Sequence, residues 1–71
     1  MNMLQVILGD RALSLNALAA AIGRTRRTLF NWRTGRTHPS AADIERVSQA
    51  LGIPAETLLA AVDIQEAPAN G

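Results

Sequence analysis

Seventy-one residues with a formal net charge of +1 leave room for one small domain. The chain has no cysteine, which excludes a disulfide framework, a thiolate zinc site and a cysteine nucleophile, and the lone His38 is too few for most metal sites. Apolar residues make up 48% of the sequence, yet only Phe30 and Trp32 are aromatic, and thirteen alanines with nine leucines favour helices packed on helices over a sheet.

The first segment, Asn2 to Gly9, places Leu4, Ile7 and Leu8 at helical spacing and ends at a glycine. Ser14 then suits an N-cap, and a second helix over Leu15 to Ile22 puts Leu18, Ala19 and Ile22 on one face before Gly23. Thr25 caps a third helix, Arg26 to Thr34, with Leu29 and Trp32 inward and Gly35 as its stop. Pro39 biases His38 away from helical geometry, so Arg36 to Pro39 reads as a loop. Ser40 opens a fourth helix with Asp43 in the capping-box position, running to about Leu51 and burying Ile44, Val47, Ala50 and Leu51. Gly52 breaks it, Pro54 suits the first turn of a fifth helix, and Leu58, Leu59 and Val62 supply that helix's apolar face. The expected architecture is all-α, a compact bundle of five short helices over 1–62, followed by a flexible tail over 63–71. No basic leader opens the chain, and no stretch approaches the roughly 20 apolar residues of a membrane span, so a soluble protein without membrane contact is expected.

Charge is distributed unevenly. From Arg24 to Arg36 lie five arginines and no acid, whereas the rest of the chain sets two arginines against six acids. All seven basic residues are arginine, a planar fork able to bind a phosphate or a guanine edge with two hydrogen bonds. This points to a polyanionic partner, nucleic acid first.

Only Gly23, Arg24 and Thr25 separate the second and third helices, which forces a steep crossing: a helix-turn-helix, with Ala19 small where the helices press together. The ordered set Leu13-Ser14, Leu18-Ala19, Ile22-Gly23, Thr25, Leu29, Trp32, Gly35, Pro39 and Leu51-Gly52-Ile53 to Leu58-Leu59 resembles the lambda-repressor-like helix-turn-helix domains of phage repressors, Cro proteins and many bacterial regulators. The resemblance covers Leu13 to about Leu59. It implies a double-stranded DNA partner and a transcriptional regulator, a small Cro-like or phage-type repressor that binds paired half-sites as a homodimer with its third helix in the major groove. The setting implied is the cytoplasm of a bacterium or phage-infected host, at the nucleoid. Three residues depart from the family's pattern. Arg24 stands where an apolar residue is usual, so its side chain is expected to leave the corner for solvent or phosphate. Leu15 replaces a common glutamine and removes a polar contact. Arg33 replaces an acid, and either pairs with Asp10 or reaches DNA.

On a helical wheel the face opposite Leu29 and Trp32 carries Arg27, Asn31 and Thr34, flanked by Arg26 and Phe30. These five are the expected base readers. Arginine takes guanine O6 and N7 together and asparagine takes adenine N6 and N7, so a half-site containing G and A is expected. Phe30 either touches a thymine methyl or packs on its own domain. Trp32 reads as core. Phosphate contacts are expected from Ser14, Arg24, Thr25, Thr28, Arg33, Arg36, Thr37, His38 and Ser40, with backbone N–H groups at the starts of the second and fourth helices. Leu58, Leu59, Val62 and Ile64 offer a dimer contact.

The rival reading is an antitoxin or accessory regulator acting mainly through a protein partner, against which stands the shortness of the tail. An enzyme has little support: no nucleophile pairs with a base around His38, no two carboxylates cluster, and no glycine-rich phosphate loop exists, so no catalysis and no cofactor are expected. RNA binding lacks the exposed aromatic platforms it would use.

Overall fold

The computed structural model of the chain describes residues 1–62, so the tail expected over 63–71, Ile64 included, lies outside the described residues. Five helices follow in order: α1 (Met3–Leu8), α2 (Leu15–Ile22), α3 (Arg26–Thr34), α4 (Ala41–Leu51) and α5 (Ala55–Leu59). Each of the first four starts where a side chain satisfies a free backbone N–H. Ser14, Thr25 and Ser40 accept from the N–H three residues on, at 3.2 Å in each case. Asn2 does the same for α1, and Gln5 returns a bond to the Asn2 N–H, both at 2.9 Å. Gly23, Gly35 and Gly52 end α2, α3 and α4 in the left-handed conformation, whose φ of +69° to +80° costs glycine no steric clash.

The core joins all five helices: Leu4 and Leu8 of α1, Leu15, Leu18, Ala19 and Ile22 of α2, Leu29 and Trp32 of α3, Ile44 and Val47 of α4, and Leu58 of α5. The first helix packs on α3 and α5, α2 on α3 and α4, and α4 on α5. The helix-turn-helix pair is therefore braced from both sides. Leu15, whose replacement of a polar residue looked like a lost contact, is buried in this core instead.

Three expectations are corrected, one about burial and two about the bounds of α5. Ala50 is exposed, because Ile44, Val47 and Leu51 already define the inward stripe of α4 and position 50 falls about 60° beyond Val47 on the wheel. Pro54 sits before α5 as its N-cap residue rather than inside its first turn. The fifth helix is shorter than expected and does not include Val62. Ala60 turns to extended geometry, and residues 60–62 run antiparallel beside the N-terminus: the Met3 N–H donates to Ala60 O and the Val62 N–H to Met1 O, each at 2.9 Å. This pairing closes the bundle by tying the residues after α5 to those before α1.

Candidate nucleic-acid interface

The short turn Gly23-Arg24-Thr25 sets α3 across α2 and turns one face of α3 outward. Leu29 is wholly buried and Trp32 nearly so, which fixes the rotation of the helix about its axis. Arg26 and Arg27 are exposed on the opposite side, Asn31 is half-buried, and together with Phe30 and Arg36 they line one open cavity of about 390 Å³. Four of the five expected base readers, Arg26, Arg27, Phe30 and Asn31, are thus brought together. Thr34 is not among the lining residues; its hydroxyl donates to Asn31 O at 3.1 Å. Among the described residues Arg26, Arg27 and Arg36 make no ion pair. Their charges remain available to an anionic partner.

The Asn31 carbonyl organises the end of the helix. Besides Thr34 it accepts from the N–H groups of Arg36, at 2.9 Å, and Thr37, at 3.4 Å, which curls the loop back over the last turn and sets Arg36 beside Asn31. Thr37 and His38 follow, both exposed. The cap hydroxyls expected to meet phosphate have local partners: Ser14 and Ser40 cap their helices, and the hydroxyls of Thr25 and Thr28 lie 2.9 Å apart.

Arg24 is exposed at the corner, and its guanidinium also has a partner within the chain. Its Nε donates to Asp43 Oδ1 at 2.9 Å, its Nη2 lies 2.9 Å from the same oxygen in an ion pair, and Arg46 donates to that oxygen at 3.1 Å. The other carboxylate oxygen accepts from the Ser40 hydroxyl at 3.0 Å and the Ser40 N–H at 3.3 Å. Asp43 is only 5% exposed. Burial pushes its pKa up, but the bonds from Arg24 and Ser40 and the Arg24 charge outweigh this and hold the carboxyl below the ordinary carboxylate range. The sequence marked Asp43 as a local cap only. Nothing in the one-dimensional pattern connects it to a residue 19 positions away, yet this carboxylate bolts the helix-turn-helix corner to the start of α4.

Arg33 does not take the first of its two expected courses, a pairing with Asp10. Asp10 accepts from the Ala12 N–H at 3.0 Å and forms no ion pair with it among the described residues. The guanidinium of Arg33 lies instead over the Phe30 ring, 4.6 Å from the centroid.

A bundle in which a capped helix is pinned by two core residues, with guanidinium and amide groups along its outer face, defines a helix-turn-helix DNA-binding protein. The family profile described as helix-turn-helix matches residues 7–58, most of the chain, and the protein belongs to this lambda-repressor-like family of DNA-binding transcription regulators. Neither a curated protein nor a solved structure matches the chain. Among the described residues no helix is long and apolar enough to cross a membrane.

Proposed function

We propose that the protein is a sequence-specific, Cro-like repressor of phage or prophage type that binds paired operator half-sites as a dimer, with α3 in the major groove. The carrying observation is the convergence of Arg26, Arg27, Asn31 and Arg36 around one open cavity on the side of α3 away from its core anchors. Arg26, Arg27 and Asn31 read base edges by two-point hydrogen bonds, each good pair giving about 1 to 3 kcal/mol of discrimination. Thr34 steadies the last turn, while Arg36, Thr37 and His38 in the loop after α3 hold phosphates, as do the helix starts at Ser14, Thr25, Thr28 and Ser40. Arg24 serves this surface at one remove, by fixing the corner from which α3 departs. One module reads only a few base pairs, and a symmetric pair about one helical turn apart doubles the site.

The dimer contact assigned to the C-terminal apolar residues needs revision within this reading. Leu58 is wholly buried and cannot take part, whereas Leu59 is 57% exposed and lines a groove with Pro39, Ala41, Ile44, Glu45 and Ala55. That same groove supports the second reading, an antitoxin or accessory regulator that grips another protein.

Selection from a random duplex library near physiological salt tests the proposal. The expected product is a two-fold-symmetric site with G and A in each half-site, whose preference is lost in Arg27→Ala. Unselective binding that disappears with salt would favour the protein-partner reading.

A further inference from the structure

We propose that Phe30 is a reader of a pyrimidine 5-methyl group in the major groove and that Arg33 is the positioning residue that holds its ring. This rests on the reading of α3 as the base-reading helix and adds a contact of different chemistry to it. Three large apolar side chains are exposed among the described residues, Met1, Phe30 and Leu59, and Phe30 alone of these stands in the cavity lined by Arg26, Arg27, Asn31 and Arg36. An aromatic wall there suits neither a phosphate nor a guanine edge. The apolar feature that the major-groove edge of DNA offers is the C5-methyl of thymine.

Arg33 gives the ring a fixed place. The side chain is half-buried, and its Cδ lies 3.9 Å from the point where a side chain on Gly9 would begin, at the end of α1. From there the guanidinium reaches over the Phe30 ring at 4.6 Å. One ring face is covered by the cation, and the rest of the 40% exposed residue is left for the cavity. A ring clamped in this way loses little freedom when it meets a methyl group.

Thymine and 5-methylcytosine both present the group. In the selected duplex, each thymine is replaced singly by uracil, which removes only the methyl, and each cytosine by 5-methylcytosine, which adds it. Affinities are measured for the unaltered protein, Phe30→Ala, Arg33→Gln and Arg33→Lys. The expected result is one position per half-site where uracil weakens binding, or 5-methylcytosine tightens it, about four-fold, the factor for one buried methyl group. That factor should vanish in Phe30→Ala and shrink in Arg33→Gln, while Arg33→Lys, which keeps a cation over the ring, restores part of it. The proposal is overturned if both base series are flat for the unaltered protein, a measurement that needs no variant to fold. It is overturned equally if Phe30→Ala weakens methylated and unmethylated duplexes alike, or if Arg33→Gln lowers the salt dependence and leaves the methyl factor untouched. A selected site that depends on Arg27 but shows no methyl factor refutes this inference alone; failure to select any site removes the base-reading proposal with it.

Discussion

Asp43 carries more of the molecule than its place in a capping box suggests. Its buried carboxylate receives two arginines and two groups of Ser40, so the start of α4 and the distant Arg24, which meet only in the folded state, share one anion. Because its pKa is lowered on folding, the stabilisation is fully present at neutral pH and is lost as pH falls through and below about 4, where the unfolded carboxyl is already protonated. The melting temperature of the unaltered protein should therefore fall more steeply below pH 4 than that of Asp43→Asn, and equal slopes would show the pairing to be idle. Arg24→Met should cost about 1 to 2 kcal/mol in urea unfolding at neutral pH, since it removes a charge-assisted hydrogen bond and an ion pair but leaves Arg46 on the carboxylate. The arrangement was illegible in the sequence. Arg24 could be placed at the corner, but which acid met it depended on how α4 folds back over α2.

The helix ends show how local and tertiary effects combine at a single residue type. Gly23, Gly35 and Gly52 share a left-handed backbone, and alanine at any of them should cost about 1 kcal/mol from that conformation alone. Their surroundings differ. A Cβ at Gly23 or Gly52 would meet open space, but at Gly35 it would stand 3.1 Å from Gln5 Nε2, whose neighbouring oxygen holds the Asn2 N–H in the α1 capping box. Gly35→Ala should accordingly be the most destabilising of the three, exceeding the others by about 0.5 to 1 kcal/mol through disturbance of that cap. Urea midpoints at unchanged m-value would measure the order, and a common midpoint for all three variants would refute it. The caps and stops themselves were legible, because Ser, Thr and Gly act on backbone groups within four residues. The end of α5 was not. Leu58, Leu59 and Val62 keep a helical rhythm, but the extended chain after Leu59 finds its hydrogen-bond partners in Met1 and Met3.

Across the whole molecule six of the seven arginines fall into three groups by their surroundings. Arg24 and Arg46 are tied to Asp43, Arg33 is stacked on Phe30, and Arg26, Arg27 and Arg36 stand around the cavity on α3. Uniform positive charge in the sequence therefore becomes a specialised surface. Each phosphate contact contributes about 0.9 to the slope of log affinity against log salt on double-stranded DNA. Arg36→Ala is expected to reduce that slope by about 0.9 per protomer with the preferred sequence unchanged, whereas Arg24→Met should leave the slope nearly intact. Titrations of the selected duplex at several salt concentrations would separate the two. A slope that falls as much for Arg24 as for Arg36 would return Arg24 to the phosphate-binding set.

By itself the sequence determined the helical architecture, the helix-turn-helix corner, the inward placing of Leu29 and Trp32 and hence which side of α3 faces out. Those features follow from periodicity, capping and turn chemistry, all of which act over a few residues. Tertiary structure decided what the exposed and charged groups do: that Arg24 meets Asp43, that Arg33 lies on Phe30, that Leu58 is sealed while Leu59 is open, and that the two ends of the bundle pair. The reason is physical. A charge or an aromatic ring finds its partner among whatever atoms packing brings within a few ångströms, and such atoms are drawn from parts of the chain that no local pattern relates.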